Sequence, residues 1–208
     1  MFLLIIASER VCIELMINTH KLIAENILNN TNSKSIYLIN DYRFIWGNIK
    51  PDCVLKYKMI KHYFIESIDM IIKKIEKLCS LSLQDVYYKM SVNKFSEELG
   101  VICHFICDYF CAPHYYRWEF KNTSQVKNHV MYEKDLAKIA KEFNSNGIIT
   151  SNIDANNIKE FIYDLQNQYE GSMDFKNDLT YAYYACDSIV NMVLNKVFLN
   201  ECSLSKVV

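Results

Sequence analysis

The stretch HFICDYFCAPH, from His104 to His114, holds two histidines and an aspartate among side chains that are otherwise almost all apolar. In such company a charged group needs a partner, because an unpaired buried charge costs several kcal/mol or forces the group to neutralise. His104 and Asp108 are four residues apart, so on a helix they project from one face and can grip a single ion together. His129 and Glu133, in HVMYE, repeat the spacing. Zinc favours imidazole nitrogen and carboxylate oxygen, and a helical pair of this kind supplies two ligands at little ordering cost. Two pairs on neighbouring helices point to two ions. His114 follows a proline and could turn back as a further ligand, while His20 and His62 come from other parts of the chain. These are all five histidines. Two other readings stay open for each pair: a hydrogen-bonded core histidine, or a carboxylate that partners its neighbour along a helix surface.

The elements that must position these residues read as helices. Apolar residues make up 51% of the 208, with only four glycines and two prolines to punctuate them. This composition favours long helices over many-turned β structure, and the class is all-α in one multi-helix domain spanning 1–208. Asn18 or Thr19 could cap a first helix with His20 in its opening turn. Residues 29–51 carry loop signals in NNTNSKS and WGNIKPD and read as irregular. A helix follows from about His62, with Ile65, Ile68, Ile72 and Ile75 on its apolar side. SLQDVYYKM opens with a capping box from Ser82 to Asp85. A third long helix runs from Asn93 and stops at Pro113, and a fourth is capped near Thr123 or Ser124. The turn-rich NSNGIITSNIDANN precedes two more helices, about 156–169 and 174–200, that close the same bundle.

Taken together, HFICDYFCAPH and HVMYE resemble the metal-binding core of the bacterial zinc-dependent phospholipase C family, which is related to the single-strand-specific zinc nucleases. The pattern H-x-x-x-D-x-x-x-x-x-H, then H-x-x-x-E, is met by His104, Asp108, His114, His129 and Glu133. NTHKLIAENI and WGNIKPD resemble the family's early histidine and its aspartate, and the likeness covers about residues 16–142. The resemblance implies a helical bundle of the phospholipase C and zinc nuclease type. It implies that His62, His104 and Asp108 hold one zinc and His114, His129 and Glu133 a second. His20 with a bridging Asp108 would hold a third, less complete, because the family closes that site with the amino group of an exposed tryptophan that this chain lacks ahead of His20. Asp52 resembles the proposed general base; read from its own surroundings, it could equally be a helix N-cap after Pro51. The implied reaction splits a glycerophospholipid into diacylglycerol and a phosphorylated head group, using metal-activated water. No serine or cysteine nucleophile is required.

Cys53 stands where choline-preferring members carry a tyrosine, and Tyr57, Tyr63 and Phe64 could replace that wall by cation–π contact. A related nuclease or nucleotidase would need stacking surfaces for bases, for which HYYRWEF, residues 114–120, is the best platform. A third reading is a helical protein that binds zinc without catalysis. With 23 basic and 24 acidic residues the formal charge is −1, which leaves no polycationic footprint for duplex DNA. The expected partner is a phospholipid or a membrane surface met transiently. The eight cysteines read as free, mostly buried thiols. MFLLIIASER falls short of a secretory signal, so the chain as written reads as cytoplasmic, with secretion left open. Residues 1–15 read as an extension that is non-native or disordered, with MINTHK at Met16 as an alternative start.

Overall fold

Apolar periodicity with few breakers produces an all-α molecule. The computed structural model describes residues 19–31, 36–118, 123–170 and 173–204, and no strand occurs among them. In chain order the α-helices are α1 (19–30), α2 (Asp41–Cys53), α3 (Leu55–Lys58), α4 (Phe64–Cys79), α5 (Val92–Tyr109), α6 (Ala112–Tyr115), α7 (Thr123–Ala140), α8 (Ile158–Gln168) and α9 (Phe175–Leu204). A π-helical stretch, Asp85–Met90, precedes α5. Asn18, Met16 and the 1–15 segment lie outside the described residues.

Helix α5 is the hub. Every residue from Leu99 to Tyr109 is buried, as expected of a helix that is apolar all round and must be covered on every side. Helices α2, α4 and α9 pack against it, so His104 and Asp108 lie at the centre of the bundle. The closing helices thus belong to the same core.

Residues 41–53 are the main correction to the irregular reading: they form α2, straight through WGNIKPD. Gly47 is used for close helix contact, where no turn occurs. A Cβ at Gly47 would sit 2.3 Å from the Glu97 carbonyl oxygen, and one at Gly100 would sit 2.2 Å from that of Phe44. Only paired glycines let α2 and α5 approach this closely. Asn40 caps α2, its side chain accepting from the Arg43 N–H at 3.1 Å. Asp52 is therefore a buried residue inside the last turns of α2, and the N-cap reading is overturned.

Smaller boundaries also shift. Helix α5 ends at Tyr109, and Pro113 sits inside the first turn of α6, where a missing N–H costs nothing. His62 precedes α4, outside any helix. Of the four isoleucines expected on the apolar side of α4, Ile68, Ile72 and Ile75 are buried, as is Ile71, whereas Ile65 is 76% exposed. The Ser82–Asp85 box is present: Ser82 N–H donates to Asp85 Oδ2 at 3.0 Å, and Asp85 N–H to Ser82 Oγ at 3.2 Å. The seven described cysteines are free, five of them buried.

Candidate metal centre

The turn after α5 explains how one short stretch of chain, the end of α5 and the start of α6, delivers three site residues. Phe110 and Cys111 break the helix, and the His114 N–H donates back to the Cys111 carbonyl at 3.0 Å. This reversal brings His114 Nε2 to 3.8 Å from Asp108 Oδ1. From α1, His20 Nε2 reaches the same oxygen at 3.3 Å. On the other side, Asp108 Oδ2 lies 2.9 Å from His62 Nδ1 and 3.3 Å from His104 Nε2. One carboxylate thus touches four imidazoles, contributed by four separate segments.

Two further carboxylates flank it. Asp52 Oδ1 lies 3.6 Å from His104 Nε2. On α7, Glu133 Oε1 lies 2.7 Å from His129 Nε2 and 3.7 Å from His114 Nε2. The ligand-type atoms fall into three overlapping groups, His20/His104/Asp108, Asp52/His62/His104 and His114/His129/Glu133. His62 Nδ1 and His104 Nε2 are 3.3 Å apart, so the His62/His104/Asp108 trio read from the sequence is also brought together. All eight candidate residues converge.

Three observations test whether zinc suits this pocket. Zn–N bonds of about 2.0–2.1 Å in a tetrahedron place ligand atoms about 3.3 Å apart, close to the 3.3 Å separations of His20 and His104 from Asp108. Asp52 Oδ2 is buried without a hydrogen-bond partner, a costly state that a cation or its water beside His104 relieves. His104 Nδ1 meets the Asn48 carbonyl at 2.8 Å and His129 Nδ1 meets that of Trp118 at 3.5 Å. A carbonyl can only accept, so each ring carries a proton on Nδ1 and turns Nε2 to the pocket, the orientation a metal ligand needs. The donor set fits.

The electrostatics agree. Burial penalises the Asp108 carboxylate, but the surrounding His114, His104 and His20 outweigh it and hold its pKa well below the ordinary value. Burial likewise opposes ionisation of Glu133, and His114 and His129 overcome it. Burial disfavours the His20 cation, yet its bond to Asp108 raises the pKa well above 6.5. His104 goes the other way: burial and the neighbouring His20 charge lower it. A cavity of about 30 Å³ opens beside His20, Asp108 and Glu133, room for about one water.

Asp178, on α9, supports the site and escaped the sequence reading. Its carboxylate accepts from the Ala112 N–H at 3.0 Å, from the Tyr132 hydroxyl at 2.7 Å and from the Tyr169 hydroxyl. It thereby ties the start of α6, which carries His114, to α7 next to Glu133. No spacing marks it, because its partners lie 9, 46 and 66 residues away. The Asn48 carbonyl is equally invisible, being backbone.

The aromatic candidates divide. Tyr63 borders the site, its ring 6.1 Å from that of His114 and 4.9 Å from the Arg117 guanidinium. Tyr57 is buried and Phe64 packs on Tyr109 and Tyr163. In HYYRWEF, Tyr115 packs on Tyr169 and Trp118 on Tyr132; Glu119 and Phe120 lie outside the described residues. These rings are spent on packing, and Tyr116 alone of the described aromatic rings there is largely exposed.

Comparison with known proteins adds one finding. The family model described as zinc dependent phospholipase C matches residues 19–176, a span that contains all eight candidate residues and stops two short of Asp178. Searches of curated proteins and of solved structures return no match. With that match covering well over half of its length, the chain belongs to the zinc-dependent phospholipase C family.

Proposed function

We propose that this protein hydrolyses a glycerophospholipid to diacylglycerol and a phosphorylated head group. The observation that carries the reading is Asp108, one ionised carboxylate within 2.9–3.8 Å of four imidazoles, inside a chain of the zinc-dependent phospholipase C family. His62, His104 and Asp108 would hold one zinc, His114, His129 and Glu133 a second, and His20 with Asp108 a third. Zinc bound there supplies Lewis acidity that neutralises phosphate oxygens and lowers the pKa of a water toward neutrality.

The chain's own residues do the rest. Asn48 and Trp118 fix the tautomers of His104 and His129, so both rings are locked before substrate arrives. Asp52 Oδ2, buried and without a hydrogen-bond partner, accepts the proton of the attacking water. As the oxygen–phosphorus bond to water forms, the bond to the glycerol oxygen breaks, and the proton is returned to that oxygen. Tyr63, with Arg117 over its ring, stands at the edge where a head group would lie.

The test is a substrate panel: phosphatidylcholine, phosphatidylethanolamine and single-stranded DNA, each with added zinc and with chelator. Zinc-dependent release of diacylglycerol is expected. Cleavage of the DNA in place of lipid, or bound zinc with neither activity, would contradict the proposal.

A further inference from the structure

Nine residues, Cys53 to Lys61, separate Asp52 from His62, yet both reach His104 Nε2, at 3.6 and 3.3 Å. The segment between them is therefore a closed loop that leaves the metal centre and returns to it, a compact surface loop with joined ends. Its inward anchor is Tyr57, buried at 5% exposure, with the Lys50, Lys56 and Lys74 ammonium groups 5.6–6.0 Å from its ring.

The outward side is unusual for a surface that meets only water. Leu55, Met59 and, just past the loop, Ile65 are 73%, 78% and 76% exposed. Leu55 and Met59 are four residues apart across α3, on one helical face. Interleaved with them are Lys56, Lys58 and Lys61, all exposed. From Cys53 to Ile65 there is no acidic residue, although the whole chain is net −1. The first acid beyond, Glu66, is taken by Arg117. Among the described residues no helix is long and apolar enough to cross a membrane.

We propose that the Cys53–Ile65 loop docks the protein onto an anionic bilayer surface. Lysines attract lipid phosphates while leucine, methionine and isoleucine side chains enter the boundary between head groups and acyl chains. Charge selects the occupant: a second copy of this chain would bring three more lysines against these three, whereas an anionic leaflet complements them. Because the loop is pinned at both ends to His104, a lipid held under it has its phosphate next to Asp52 and His62. The inference rests on the phospholipid reading and extends it to where the substrate is met.

The experiment is sedimentation with sucrose-loaded vesicles of equal phosphatidylglycerol and phosphatidylcholine, and of phosphatidylcholine alone, each lipid as its non-hydrolysable phosphonate analogue, using the zinc-loaded full chain so that no turnover intervenes. Wild type is expected to prefer the mixed vesicles and to lose binding as salt rises. The triple variant Lys56→Gln/Lys58→Gln/Lys61→Gln is expected to partition about a hundredfold more weakly, and Leu55→Gln/Met59→Gln/Ile65→Gln at least about tenfold more weakly. All six side chains are exposed, so unchanged thermal unfolding verifies the fold. Both variants should hydrolyse a monomeric short-chain phospholipid within about twofold of wild type. Equal binding by variants and wild type, or no preference for anionic vesicles, would overturn the proposal. So would an apolar variant that turns a dimer into a monomer with vesicle binding unchanged. If vesicles are not bound but monomeric lipid is cleaved, the docking surface falls and the phospholipase reading stands. If vesicles are bound as expected and monomeric lipid is not cleaved, the reverse holds.

Discussion

A buried carboxylate with an orphaned oxygen is costly to keep, and Asp52 keeps one next to His104. A general base is a physical reason to do so, which gives a test at the residue scale. Asp52→Asn preserves shape and removes only basicity. Bound zinc should stay within error of wild type while turnover falls by about 10²–10⁴; unchanged turnover would reduce Asp52 to a packing residue. Asp178 is the contrasting case, since it meets no candidate ligand side chain directly. Asp178→Ala strands the Ala112 N–H and two tyrosine hydroxyls, and urea unfolding should show a loss of about 3 kcal/mol, with weaker zinc retention at the His114/His129/Glu133 group. The two carboxylates also mark what a sequence can tell. His104, Asp108, His129 and Glu133 are legible because helical spacing is local. Asp178 is not, because its meaning arises only when the start of α6, the middle of α7 and the end of α8 meet it.

At the scale of elements, the α2–α5 crossing sets the metal centre, since Asn48 and Asp52 ride on one helix and His104 and Asp108 on the other. Gly100→Ala would place a Cβ 2.2 Å from the Phe44 carbonyl. Backbone must move to admit it, and thermal unfolding should report a loss of about 2–3 kcal/mol, together with reduced turnover as Asp52 shifts. Here the sequence misleads for a clear reason. Gly47 and Pro51 are the residues that usually punctuate a chain, but Gly47 serves contact and Pro51 falls near the helix end, so α2 forms where a loop was expected. Helices α4, α5, α7, α8 and α9 were legible because each carries a long apolar stripe. A second interface, α4 against α5, is clamped by Glu98 with Lys74 and Lys94. Burial pushes the Glu98 pKa up, but the two ammonium groups outweigh it and bring it from 4.5 to about 2. A folded pKa below the unfolded one gives stability that is complete above about 4.5 and lost as pH falls toward about 2. Glu98→Gln should therefore cost about 0.5–1 kcal/mol at pH 7, after allowance for solvent screening, and the difference from wild type should close across that window. A difference that is constant with pH would contradict the assignment.

For the whole molecule, the arrangement has one logic: a helix covered on all sides carries polar residues inward, and five other segments bring imidazoles or carboxylates to meet them. Without a cation, the carboxylates of Asp52, Asp108 and Glu133 are buried together in one pocket, so metal binding and folding should be coupled. The central claim is that this convergence holds zinc. Elemental analysis of the protein purified without chelator tests it most directly, beside Asp108→Ala prepared identically. The account predicts at least two zinc ions per chain in the wild type and the loss of at least one in the variant; less than one ion in the wild type, or full retention by Asp108→Ala, would contradict it.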